Sequence, residues 1–322
     1  MKAMVQNAYG SPDDVLSLED VAKPVPKNDE VLLRVGAAGV NWADWSAVRG
    51  MPYIMRLMYG LREPRNGVGG LDVAGTVEEV GEKVTALQPG DEVFGQGQGS
   101  FADFARAKAK NLAPKPTGLT FEQAAAVPMA GLVALQALRD VGKVQPGQKV
   151  LVNGASGGIG SFTVQIAKSF GAEVTGVCST GNLDLVRSLG ADHVIDYTKE
   201  DFTHGSESYD FILDMVDKHS LTDRLKVLAP KGTLIPNSGE GGPWFGSVGR
   251  IIKARLRSPF MSQKLAPFLS LSKTEDLLTL MNLIDTGQVT PVIDQTLPLS
   301  ELPAAISYVG AGHARGKTVI TV

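Results

Sequence analysis

The stretch Lys149-Val150-Leu151-Val152-Asn153-Gly154-Ala155-Ser156-Gly157-Gly158-Ile159-Gly160 decides how the rest of this chain is read. A valine-rich apolar run stops at a cluster of glycines, after which Ile159, Phe162, Ile166 and Phe170 recur at helical spacing. The pattern predicts strand, tight turn and helix, a unit whose helix N-terminus and backbone N–H groups can hold a pyrophosphate. Glycine serves there because a Cβ would keep the backbone from the ligand, or push the helix off the strand. The dinucleotide pattern normally opens with glycine. Ala155 stands in that place, while Gly157 and Gly160 keep the other two. Gly154, Ala155, Ser156, Gly157, Gly158, Ile159 and Gly160 are therefore the candidate cofactor turn.

Beyond the turn, strand and helix alternate. Ala172 to Cys178 reads as a second strand, and Leu183, Leu185, Val186 and Leu189 as a helix closed by Gly190. His193 to Asp196, Tyr209 to Asp214 and Gly232 to Ile235 follow as strands, with Leu221, Leu225 and Leu228 on a helix between the last two. Leu265 to Leu271 is the candidate sixth strand. About six parallel strands with the glycine turn first make the doubly wound α/β fold that binds dinucleotides.

Upstream, residues to about Thr120 read as short strands and turns, among them Glu30 to Val35, Val73 to Val80, and the turn Pro89-Gly90-Asp91 feeding Val93-Phe94. Such a run before a βαβ region predicts a separate, mostly β domain. Phe121 to Val141 reads as a helical linker broken by Pro128 and Gly131. A helix over Asp276 to Ile284 and a β-rich run from Lys317 to Val322 close the chain, the latter expected to return to the first domain.

Composition narrows the function. The 322 residues suit two domains, and a net charge of −3 gives no support to a nucleic-acid partner. One cysteine, Cys178, rules out an internal disulfide framework and a cysteine-built zinc site. No apolar run approaches membrane-spanning length, and the N-terminus lacks a cleavage signal, so the expected setting is cytoplasmic.

By its markers the chain resembles the zinc-free, quinone oxidoreductase (zeta-crystallin-like) branch of the medium-chain dehydrogenase/reductase superfamily. They are Gly39-Val40-Asn41-Trp42-Ala43-Asp44, Gly70-Leu71-Asp72-Val73-Ala74-Gly75, Pro89-Gly90-Asp91-Glu92-Val93, Ala124-Ala125-Ala126-Val127-Pro128, the Ala155 to Gly160 turn, Gly190-Ala191-Asp192 and Gly316-Lys317. The resemblance implies a GroES-like, mostly β catalytic domain over 1–122 and 273–322. It implies a Rossmann domain over 123–272, and a cleft where a nicotinamide delivers hydride to a small molecule. A homodimer joined at the sixth-strand edge is also implied.

Zinc-dependent relatives carry cysteine where this chain has Asn41, and Gly-His-Glu where it has Gly70-Leu71-Asp72. Asn41 and Leu71 cannot supply the thiolate and imidazole that zinc takes, and the four histidines are scattered. The expected site is metal-free. Without a Lewis acid, a simple alcohol has no means of lowering its pKa, so the expected acceptors are quinones and α,β-unsaturated carbonyls.

The resemblance puts Asn41, Asp44 and Tyr53 forward as catalytic candidates. The competing readings are a turn residue, a helix-start charge or partner of Arg49, and a half-buried surface tyrosine. On the cofactor side, Cys178-Ser179-Thr180-Gly181-Asn182 carries no acid at the end of the second strand, where an NAD enzyme has one. Ser179, Thr180 and Asn182 are candidates for the 2′-phosphate of NADPH, with NADH possible because Gly181 stands where relatives offer a cation. By the resemblance Tyr197, Asn237 and Lys317 complete the cofactor set, the competing readings of Tyr197 and Lys317 being a capping aromatic and a solvated lysine. Residues 239–263, basic and amphipathic after a glycine-rich start, are expected to form a substrate lid or pocket wall, with a plain solvated helix and contact with a membrane surface as the alternatives. The expected activity is NADPH-dependent, zinc-independent reduction of a quinone or enone. The alternative is an NADPH-binding protein of low turnover with a structural or regulatory role.

Overall fold

The computed structural model describes residues 1–65, 67–216, 218–236, 244 and 262–322. The chain forms two compact units, one of Met1–Leu132, Leu271–Gly287 and Pro291–Val322, the other of Val133–Ser270 and Gln288–Thr290.

The first unit opens with an antiparallel pair absent from the sequence reading, β1 (Lys2–Gln6) and β2 (Leu16–Asp20). Next come β3 (Glu30–Val40), helix α1 (Trp42–Arg49), β4 (Asp72–Val80), β5 (Glu92–Gln96), β6 (Phe104–Lys108) and β7 (Leu112–Pro114). On β3 and β4, Val31, Leu33, Val35, Val73 and Val77 are buried in one apolar cluster. Their alternation along the strands is what a sheet with one inward face requires. Helices α2 (Phe121–Ala125) and α3 (Pro128–Gln136) follow. The linker does break at Pro128, which begins α3 as a residue with no N–H to lose. It does not break at Gly131. That glycine lies inside α3, and a Cβ there would meet Leu280 at 2.9 Å.

In the second unit, β8 (Lys149–Asn153) leads into α4 (Gly158–Ser169) and β9 (Glu173–Cys178). Then come α5 (Leu183–Ser188), β10 (His193–Asp196), β11 (Tyr209–Asp214), α6 (Leu221–Lys226), β12 (Leu228–Pro236) and β13 (Lys264–Leu265). All pairings are parallel, in the order β10-β9-β8-β11-β12-β13. The order reverses between β8 and β11, the switch point of a doubly wound sheet. Strand β8 is buried on both faces, which is why it reads as a continuous apolar run. Two expectations need correction. Leu228 starts β12 instead of ending a helix, and the sixth strand is only Lys264–Leu265. Pro267, which has no N–H for a ladder, follows two residues later.

The chain then returns to the first unit with α7 (Thr274–Asp285), β14 (Ile293–Pro298), α8 (Leu302–Gly310) and β15 (Lys317–Thr321). Its larger sheet runs β14-β15-β3-β4-β5-β7, with β6 also on β3. The final strand thus sits inside the first unit's sheet, antiparallel to β3. Among the described residues, no helix is long and apolar enough to cross a membrane.

Candidate functional site

The glycine turn in the second unit is built by unequal glycines. Gly154 adopts φ +89°, a conformation L side chains avoid, and its N–H and that of Ala155 both donate to the Val177 carbonyl. A Cβ on Gly160 would lie 2.1 Å from the Gly154 carbonyl oxygen and 2.8 Å from the Ala155 Cα, so this glycine serves helix–strand contact. Gly157, which caps α4, is different: a Cβ there would meet only the Gly154 oxygen, at 3.4 Å. Protein packing does not demand glycine at 157. Open space before the N–H groups of a 12-residue helix is what an approaching pyrophosphate uses.

Polar side chains gather beside this turn, at the C-terminal ends of β8 and β9. The Asn182 amide donates to Ser156 Oγ and to Ser179 Oγ, each at 3.1 Å, joining three predicted residues. Both serines accept there and keep their own O–H to donate. Thr180 is committed differently: its hydroxyl lies 2.6 Å from Asp196 Oδ2. The Thr198 hydroxyl and N–H approach the other carboxylate oxygen at 2.7 and 3.0 Å. These bonds, Thr180's first, hold the Asp196 carboxyl down at about 2. Tyr197 is 55% exposed and Asn237 lies outside the described residues, as does most of 239–263.

At the switch point, sequence reading missed a buried set. Asn153 Nδ2 donates to Asp214 Oδ1 at 2.8 Å, and Arg224 Nη1 donates to Asp214 Oδ2 at 2.9 Å. The Met215 N–H also donates to the Asn153 carbonyl, fixing the chain after β11 against the glycine turn. Cys178 is buried, which pushes its thiol up to about 11 and leaves it unreactive.

In the first unit, Asn41, Asp44, Asp72 and Lys317 form one buried polar cluster. Asp72, with no exposed surface, accepts from Asn41 Nδ2 at 3.1 Å, Gln96 Nε2 at 3.2 Å and the Met129 N–H at 3.1 and 3.2 Å. It thereby supplies an anion to the first turn of α3. Lys317 is 4% exposed, not a solvated lysine; its ammonium donates to the Val40 carbonyl at 3.0 Å and to Asn41 Oδ1, and lies 3.6 Å from Asp72 Oδ2. Burial pushes the Asp72 carboxyl up and the Lys317 ammonium down, each opposed by the other's charge.

This arrangement fixes the Asn41 amide. An ammonium can only donate, so Oδ1 faces Lys317 and the NH₂ faces Asp72 and the Gly39 carbonyl. Both amide hydrogens are thus engaged within the protein. Asp44 closes the start of α1 by accepting the Asn41 N–H at 2.7 Å, and burial raises its carboxyl to about 7. Arg49 lies instead over the Trp45 ring, 5.1 Å from its centroid. Tyr53 is 39% exposed, with the Arg56 guanidinium 4.9 Å from its ring centre. A different phenol, Tyr59, feels this cluster: burial, then the Asp44 charge, raise its pKa. The resemblance singles out Tyr53, and no feature of the sequence marks Tyr59.

Residues 27–117 match the alcohol dehydrogenase GroES-like domain, and residues 189–320 match the zinc-binding dehydrogenase family. A chloroplast envelope quinone oxidoreductase homolog of Arabidopsis thaliana is 34% identical over 99% of this chain and 98% of its own. The chain belongs to the medium-chain dehydrogenase/reductase family, in its quinone oxidoreductase-like branch. An NADPH-dependent alkenal/one oxidoreductase of Arabidopsis thaliana, chloroplastic by name, is 35% identical over 99% of this chain and 79% of that protein. The quinone oxidoreductase of Coxiella burnetii superposes with a TM-score of 0.87 at 29% identity, covering 100% of this chain and 99% of that one. The GroES-like and Rossmann architecture of this medium-chain reductase is therefore the family's own.

The matched family description mentions zinc, and the donor set of this member does not fit it. Leu71 is apolar, Asn41 offers no thiolate, and the buried Asp72 carboxylate already has an ammonium and three kinds of N–H donor around it. Among the described residues, no three His, Cys, Asp or Glu side chains converge on one point.

Proposed function

We propose that this protein is an NADPH-dependent, metal-independent oxidoreductase that reduces a quinone or the alkene of an α,β-unsaturated carbonyl. The observation that carries the reading is the turn at Gly154 to Gly160, where space is kept open at Gly157 for no packing reason. The relative named as an NADPH-dependent alkenal/one oxidoreductase supports the cofactor and the substrate class. When bound, NADPH supplies a hydride. The α4 N-terminus and the Gly157 N–H would hold its pyrophosphate, and the O–H groups of Ser156 and Ser179 are available to its ribose. Asn41, Asp44 and Tyr53 remain the candidate catalytic set, joined by Tyr59. With the Asn41 hydrogens engaged, the donor for charge building on a substrate oxygen falls to a phenol, or to Asp44 in its protonated form.

We place the enzyme in the cytoplasm and expect a homodimer joined along the β13 edge, which ends the sheet order. Light scattering of the purified protein tests the dimer. The test of function is NADPH consumption with a panel of quinones and enones, with and without a chelator. Turnover that survives chelation is expected. Activity abolished by chelation would overturn the metal-free mechanism. The second reading, a nucleotide-binding protein of low turnover with a regulatory role, gains from the engaged Asn41 amide. It is favoured if NADPH binds but no acceptor on the panel is reduced.

A further inference from the structure

The loop after β9 offers the 2′ end of a nucleotide no cation of its own: Ser179, Thr180, Gly181 and Asn182 are all neutral. The adjoining strand supplies one. Strand β10 pairs with β9 through Asp196 opposite Cys178, so Asp196 ends its strand level with the start of that loop. The chain then folds back on itself, the N–H groups of Lys199 and Glu200 both donating to the Asp196 carbonyl at 2.9 and 3.0 Å. This turn returns the Lys199 ammonium to 3.5 Å from Asp196 Oδ2, the same oxygen that Thr180 holds at 2.6 Å. One carboxylate oxygen therefore gathers a cation from the β10 turn and a hydroxyl from the β9 loop.

Resting on the nucleotide site described above, we propose that Lys199 and Asp196 together set the choice between NADPH and NADH, Lys199 attracting the 2′-phosphate and Asp196 limiting that attraction. The 2′ group lies at the end of the second strand in this fold, and that end is here the Cys178 to Thr180 corner. The Lys199 side chain is 68% exposed while that of Asp196 is 7% exposed, so the ammonium faces solvent and the carboxylate lies beneath it. Thr180 donates its proton to Asp196, and its oxygen also lies 2.9 Å from the Thr198 hydroxyl, so it has no proton left for a phosphate. Lys199 is then the attractive partner for the phosphate, and the ionised Asp196 offsets part of its field. A plain surface ion pair would have the same distance. It would not bear on which nucleotide binds.

The two residues act in opposite directions, and this makes the proposal testable by titration calorimetry with NADPH and NADH. Lys199→Gln is expected to weaken NADPH about tenfold, the order of one charge-assisted hydrogen bond, and to move NADH by less than about twofold. Asp196→Asn keeps an acceptor for Thr180 and is expected to tighten NADPH several-fold without tightening NADH. An unchanged NADPH-to-NADH ratio in Lys199→Gln would overturn the proposal, as would weaker NADPH binding by a folded Asp196→Asn protein. Lys199→Gln replaces an exposed side chain, so its result stands even if Asp196→Asn fails to fold. Parent protein that binds neither nucleotide would overturn the nucleotide site itself, a result separate from either variant's.

Discussion

The methyl of Ala155 occupies room left by Gly176 on the neighbouring strand. A Cβ on Gly176 would lie 3.0 Å from the Ala155 Cβ and 2.5 Å from Val186 Cγ1. Ala155 is fully buried, so the alanine that replaces the first glycine of the dinucleotide pattern is absorbed by a glycine one strand over.

That pairing predicts a coupling. Gly176→Ala is expected to cost about 1–3 kcal/mol through overpacking. Adding Ala155→Gly should recover part of the loss, with Val186 retaining the remainder. A double-mutant cycle by urea unfolding measures it. Strictly additive effects would mean that the two residues do not share this space.

Gly157 and Gly160 should separate binding from stability. Gly160→Ala drives a Cβ into the Gly154 carbonyl and is expected to cost about 1–3 kcal/mol or more. Gly157→Ala is expected to lose less than about 1 kcal/mol, the scale of a capping change, yet to weaken NADPH at least about tenfold. Unfolding curves and titration calorimetry on both variants check this. Parent-like NADPH affinity in Gly157→Ala would place the pyrophosphate elsewhere.

The buried pair in the first unit should be costly to break from one side. Lys317→Met leaves the Asp72 carboxylate without its ammonium, and Asp72→Asn strands Lys317. Each is expected to cost about 3–5 kcal/mol. The double variant should be less destabilised than the sum of the two. Unfolding of all three decides, and additive losses would show that the charges do not compensate each other.

Asp44 predicts a pH dependence. Its carboxyl rises from 3.8 to about 7 on folding because burial disfavours the charge. Between those values the native state holds a proton that the unfolded chain has released. Stability from this residue is therefore full in acid, falls as pH rises toward 7, and is level above it. Asp44→Asn cannot ionise and keeps an oxygen for the Asn41 N–H. Its stability relative to the parent should climb across that window, read by urea unfolding at a series of pH values. A difference that is flat with pH would mean that Asp44 titrates normally.

Much of the second unit was legible because its signals are local. Valine runs, glycines at the turn and a helical period each describe neighbours in sequence, and Tyr209–Asp214 was found to the residue. The features that escaped depend on partners remote in sequence. Asp196 reaches the corner after β9 only because β10 lies beside β9, whereas residues 178–182 themselves carry no acid. Asn41 is a catalytic candidate by resemblance alone. Its orientation is set by Lys317, 276 residues away, and no spacing rule connects the two. Tyr59 stood out only once burial and the Asp44 charge were known.

The place of Lys317 within β15 has a consequence for how the protein is made. A nascent chain that has emerged as far as Leu132 carries Asp72, Asn41, Gln96 and Met129, but not the ammonium that balances them. Val133–Ser270 emerges next and, apart from Gln288–Thr290, is a whole unit able to form while the earlier one waits. The unit that leaves the ribosome first is then the unit that is completed last. Until its closing strand arrives, burying Asp72 carries the cost of a charge without its partner.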